Sequence, residues 1–113
     1  MAAAVIVMKQ NDLLPVIQAQ LQNKDGSLPN LTGTSVKFAM SSSPGAAPIV
    51  NQTAAIIDPI NGIVQYAWQV GDTAAASAQD GHYAEFIVTF IGGKVAHYPT
   101  GDYIRVVIQT AVA

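Results

Sequence analysis

The chain has 113 residues, half of them apolar, yet only 11% are Asp, Glu, Lys or Arg, where an ordinary soluble protein carries about 25%. That length fits one domain with one hydrophobic core, and the apolar half excludes wholesale disorder. Net charge is −2, the 5 cations (Lys9, Lys24, Lys37, Lys94 and Arg105) stand singly, and cysteine is absent, which excludes a basic footprint for nucleic acid, disulfides and thiolate chemistry.

The run Ala2–Met8 is apolar but too short for a signal peptide or a membrane span, and no basic stretch precedes it. Synthesis in the cytoplasm and no membrane partner are expected. Within that run Val5-Ile6-Val7-Met8 predicts a strand, punctuated by Asn11-Asp12. Leu13–Gln22 fits two periods. Leu13, Ile17 and Leu21 stand at helical spacing behind Asp12, while Ile17, Ala19 and Leu21 alternate with Gln18, Gln20 and Gln22. The alternation favours a strand, and Pro15 is compatible with either.

Asn23-Lys24-Asp25-Gly26 predicts a turn, because glycine takes the positive φ that such turns need. Val36, Phe38 and Met40 alternate with Lys37 and Ala39 as a half-buried strand does. Ser41–Pro48 is a loop by composition. Ile49–Ile57 predicts one further strand, closed by Asp58-Pro59-Ile60-Asn61-Gly62, and Val64, Tyr66 and Trp68 resume the period of two. Gly71–Asp80 holds nothing large enough to anchor a helix and reads as a loop.

Ala84, Phe86, Val88 and Phe90 give the next strand one apolar face, with Gly92-Gly93 as its turn. Val95–Tyr98 returns, Pro99–Asp102 turns again, and Ile104, Val106 and Ile108 form the last inward face. Seven to nine short strands spaced by turns, without crossover helices, predict an all-β fold, an antiparallel β-sandwich occupying 1–113 as one domain. Short uncharged segments, 1–4 and 110–113, flank it and are suited to adding a strand to a neighbour's sheet edge.

An ordered series of short matches carries a family resemblance. Lys9-Gln10-Asn11-Asp12 with Leu14-Pro15 opens it, followed by Asp25-Gly26, Asn30-Leu31-Thr32-Gly33, Val36-Lys37-Phe38 and Met40. Gly62-Ile63-Val64-Gln65-Tyr66-Ala67-Trp68, Gly71-Asp72-Thr73, Gly81-His82-Tyr83-Ala84-Glu85-Phe86 and Tyr98-Pro99 complete it. Over residues 9 to 108 the chain resembles the immunoglobulin-like domain at the N-terminus of tailed-phage baseplate upper proteins, and related small stand-alone virion proteins. The resemblance implies an immunoglobulin-like sandwich and a structural role in the virion. The partners it implies are other phage structural proteins and further copies of the chain. A chain closing at Ala113 is expected to lack a distal receptor-binding part, which leaves baseplate, tail, neck and capsid-decorating positions open.

No catalytic, cofactor or metal site is expected, and no small-molecule substrate. All 6 Asp residues stand beside turn signals, where their side chains cap backbone. Glu85 is the lone carboxylate inside a strand. His82 and His97 lack ligand spacing, Ser41-Ser42-Ser43 lacks a nucleophile elbow, and Gly92-Gly93-Lys94 reads as a hairpin turn rather than a phosphate loop. Tyr83, just after Asp80-Gly81, is open to two readings, an ordinary strand tyrosine or the tyrosine corner of immunoglobulin-type sandwiches. If Phe86 and its alternates face the core, then Tyr83, Ile87 and Ile91 face outward. With Trp68, which reads as either a core or an interface anchor, they form the candidate protein interface. A surface so poor in charge is weakly protected against association, so burial in an assembly is the expected function. The alternative is a carbohydrate- or receptor-binding module stacking sugars on Trp68 or the loop tyrosines.

Overall fold

The computed structural model describes residues 5–14, 16–73, 81–99 and 103–109. Among the described residues there is no helix. The strands are β1 (Val5–Lys9), β2 (Ile17–Gln20), β3 (Ser35–Ser41), β4 (Val50–Thr53), β5 (Ala55–Asp58), β6 (Ile63–Tyr66), β7 (Gly81–Thr89), β8 (Val95–Tyr98) and β9 (Ile104–Gln109). They form a 6-stranded sheet in the order β1-β9-β7-β3-β4, with β8 also on β7, and a 3-stranded sheet in the order β2-β6-β5. The expected all-β sandwich is the observed fold. Residues 1–4, 110–113 and most of the loop Gly71–Asp80 lie outside the described residues, as does Pro15.

The alternation β3 and β7 show in sequence becomes alternating burial, most regularly along Gly81–Val88. Their antiparallel ladder runs from Ser35↔Thr89 to Ser41↔Tyr83 and is the spine of the large sheet. Leu13–Gln22 resolves in favour of its strand period, with Ile17–Gln20 paired to β6.

Three features depart from the sequence-based expectation. First, the sheets are not wholly antiparallel, because β1 runs parallel to β9 from Val5↔Arg105 to Lys9↔Gln109. The two strands come from opposite ends of the chain, so no tight hairpin dictates their relative direction. Second, the segment Ile49–Ile57 is two strands. Its first half pairs with β3 and its second with β6. The change of sheet falls at Ala54, which is buried and donates its N–H to the Val36 carbonyl at 2.8 Å. Third, β8 and β9 share one edge of β7, β8 against Phe86–Thr89 and β9 against Gly81–Ala84. Pro99, which has no N–H to give a ladder, stands just after β8.

Between the sheets lies one hydrophobic cluster. Val36, Phe38 and Met40 from β3, with Ala84, Phe86 and Val88 from β7, meet Ile17, Val64 and Tyr66 from the smaller sheet. The rings of Phe38 and Tyr66 stack across the sandwich, centroids 4.5 Å apart and planes 9° from parallel. Trp68 closes edge-on against both, 5.6 Å from Phe38 and 5.5 Å from Tyr66. Tyr98 reaches back to the turn after β2, its hydroxyl donating to Asn23 Oδ1 at 2.7 Å. At Gly62 φ is +67°, and an added Cβ would stand 3.1 Å from the Leu21 carbonyl oxygen. The turn into β6 therefore needs glycine for both its backbone and its space.

Candidate protein interface

Pairing register fixes which side chains share the outer face of the large sheet, since directly opposed residues point the same way. One row across the sheet is Val5, Arg105, Tyr83 and Ser41. The next is Val7, Val107 and Gly81. On the other side of Tyr83 come the rows Glu85–Ala39–Asn51 and His97–Ile87–Lys37–Thr53.

At the centre of this face Arg105 lies over the ring of Tyr83, with the guanidinium carbon 4.3 Å from the ring centroid. Tyr103 meets Tyr83 edge-on, centroids 5.5 Å apart. A Cβ at Gly81 would collide with the Arg105 guanidinium, so the glycine leaves the space in which the guanidinium lies. Arg105 Nε is buried with no hydrogen-bond acceptor. Val5 and Val7 are 63% and 55% exposed beside it.

The neighbouring part of the face is more polar. His97 Nε2 stands 3.8 Å from Glu85 Oε1, a separation at which a half-exposed pair contributes little. The loop Ser41–Pro48 folds over the sheet there and leaves an open groove of about 240 Å³. Ala39, Ser41 and Asn51 line it on one side, and Tyr83, Glu85 and Ile87 on the other.

Two of the four predicted interface residues, Tyr83 and Ile87, are half-buried on this outer face and line the groove. Ile91 is 79% exposed but belongs to the hairpin turn beyond β7, where its side chain approaches Gly33. Trp68 is a correction. It is 3% exposed and packed edge-on against the stacked Phe38 and Tyr66, so it takes the core place and offers a partner neither an anchor nor a sugar platform. Tyr83, with its ring on the outer face against Arg105 and Tyr103, is a strand tyrosine rather than a corner.

The sequence reading missed Arg105, Tyr103, Val5, Val7 and Val107. The signal was present. If Ile104, Val106 and Ile108 face inward, Arg105 and Val107 face outward, as the same argument gave for β7.

The carboxylates behave as turn residues. Asp25 Oδ1 accepts from the Ser27 N–H at 2.9 Å and from its hydroxyl at 2.6 Å. Asp58 accepts from the Asn61 backbone at 3.2 Å and its amide at 2.8 Å. These bonds hold both acids below the ordinary carboxylate value. Asp72 accepts from the Gln69 N–H at 2.8 Å and from the Tyr66 hydroxyl. Burial first, then that bond and the Asp72 charge, push the Tyr66 phenol well above its ordinary value. His82 is buried on the inner face and His97 is on the outer, so the two histidines cannot share a ligand. Among the described residues no three His, Asp or Glu side chains gather as a metal site would require.

Two packed sheets around one core, with the larger sheet showing an outer face that is apolar at Val5, Val7 and Val107 and polar further along, define a β-sandwich domain. The chain belongs to the family of the BppU N-terminal domain, which matches residues 2–94. BppU is the baseplate upper protein, and membership makes the chain a phage baseplate structural protein and a virion component. No curated protein matches the chain. The family match ends just before β8, and β8 and β9 complete the same sheet by pairing with β7.

Proposed function

We propose that the chain is a structural protein of a tailed-phage virion that acts by protein–protein packing and catalyses no reaction. Its partners are other phage structural proteins and further copies of itself. Its place is the tail and baseplate region, following its family, and its fold is immunoglobulin-like. Support for the fold comes from strand order, because β2, β6 and β5 form one sheet and β9, β7 and β3 the core of the other, the arrangement in which immunoglobulin sandwiches place their strands.

The observation that carries the reading is the family match across residues 2–94. The outer face adds to it. Tyr83 and Ile87 are half-buried on it, and among the described residues ten large apolar side chains are exposed, among them Val5, Val7, Val95 and Ile91. Apolar surface of that kind is stabilised when another protein covers it. Many identical contacts acting together let each be weak.

The experiment replaces Ile87 and Ile91 with Lys in the phage and measures copies of the chain in purified particles. The expected result is a folded protein that no longer enters particles. Wild-type protein absent from purified particles would overturn the reading. Normal incorporation of the double variant would show that these two residues are not the contact.

A further inference from the structure

We propose that the outer face carried by β1, β9 and the start of β7 docks a partner protein presenting an Asp or Glu among apolar side chains, with the carboxylate pairing to Arg105. This rests on the packing reading above and names the face and the chemistry of what it meets.

The argument begins with the guanidinium. Its planar fork carries five N–H donors and no acceptor. In this chain it is laid against the Tyr83 ring, Nε is buried without an acceptor, and no ion pair joins Arg105 to a carboxylate among the described residues. A charged donor withdrawn from water and left unpaired is costly. The buried Nε is closed to a partner, so a carboxylate would meet the terminal amino groups of the fork, where two parallel bonds pair the charge and are specific in direction. The sequence has also cleared the space for this posture, since any Cβ at Gly81 would displace the guanidinium. Held on one side by Tyr83, the side chain loses less freedom when a partner binds it.

Charge decides the sign of the partner. The outward positions of β1 and β9 carry Lys9 and Arg105, and neither strand contains a carboxylate. Glu85, further along β7, stands beside His97. A like-charged partner would be repelled, and an apolar one would strand the guanidinium. The surroundings supply the rest of an anchor. Val5 and Val7 are exposed, Val107 lies between Val7 and Gly81, and the tyrosine pair stands behind. An Arg and aromatics ringed by apolar contacts that exclude water form the arrangement in which a few residues dominate binding.

The test uses phage whose only copy of the chain carries Arg105→Gln, with copies per purified particle counted by quantitative mass spectrometry. The folding of each purified variant is checked by thermal melting. We expect copies per particle to fall about tenfold or more. Val7→Lys, at an exposed position, should do the same and keeps the test valid if Arg105→Gln melts early. Thr53→Lys, on the far edge strand of the same sheet, should leave incorporation unchanged. Suppressors of Arg105→Glu should be Asp or Glu changed to Lys or Arg in another structural protein. Normal incorporation of folded Arg105→Gln and Val7→Lys would overturn this proposal and leave the packing reading intact. Self-association of the isolated chain that Arg105→Gln abolishes, or suppressors at a carboxylate of this chain, would overturn it in favour of a second copy. Wild-type chain missing from particles would overturn both.

Discussion

Arg105 and Tyr83 face each other across the β7–β9 ladder, the guanidinium carbon 4.3 Å from the centre of the tyrosine ring. The space for that contact is the missing side chain of Gly81, two residues before Tyr83 on the same strand face. Gly81→Ala is therefore expected to move the guanidinium off the ring. The clash is with the far end of a flexible side chain rather than with backbone. Stability should consequently change by less than about 1 kcal/mol, while the Arg105 side-chain NMR signals lose the ring-current shift of the tyrosine. A variant that keeps that shift would show that the glycine does not set the arginine's position.

Tyr66 and Asp72 give a prediction at high pH. Burial raises the phenols of Tyr66 and Tyr98 above 10.0, and Asp72 raises Tyr66 further through its bond and its charge. The folded protein thus keeps protons that the unfolded chain releases. This stabilisation is complete below pH 10.0 and declines as pH rises through the folded-state values. Urea midpoints should fall above that pH. Tyr66→Phe should be less stable at neutral pH by about 1 kcal/mol and should lose less on going alkaline. An equal alkaline loss in the variant would place the effect elsewhere.

The stacked pair Phe38 and Tyr66 joins the two sheets at the centre of the core. Phe38 also meets Trp68 and Phe86 edge-on, so its removal opens a cavity bounded by three rings. Phe38→Ala is expected to cost about 3–5 kcal/mol, read as a lower urea midpoint with an unchanged slope. Trp68 fluorescence should respond in the folded state, because its edge contact with Phe38 is lost. A cost below about 1 kcal/mol would mean that the sheets close over the gap.

The strands were legible in sequence where one face is buried and the other is not. β7 is the clearest case. Its period of two follows directly from the pleat, so Ala84, Phe86 and Val88 could be placed inside, and Tyr83 and Ile87 outside, from spacing alone. The carboxylates of Asp25 and Asp58 were legible for a similar reason, since a turn is a contact between near neighbours. Trp68 was legible only in part. It continues the inward period of Val64 and Tyr66, which allows a core place, but it lies beyond the last residue of β6, where no ladder fixes the direction of a side chain.

What the amino-acid order determined by itself was most of the strands, their inward faces and the shortage of charge that points to a covered surface. Each of those depends on residues close together along the chain. Only the tertiary structure decided that β1 runs parallel to β9, that the chain changes sheet at Ala54, and that Gly81, Tyr83 and Arg105 make one arrangement. Those are pairings between distant segments, selected by how both sheets bury a common core, and no local periodicity encodes which strand lies beside which.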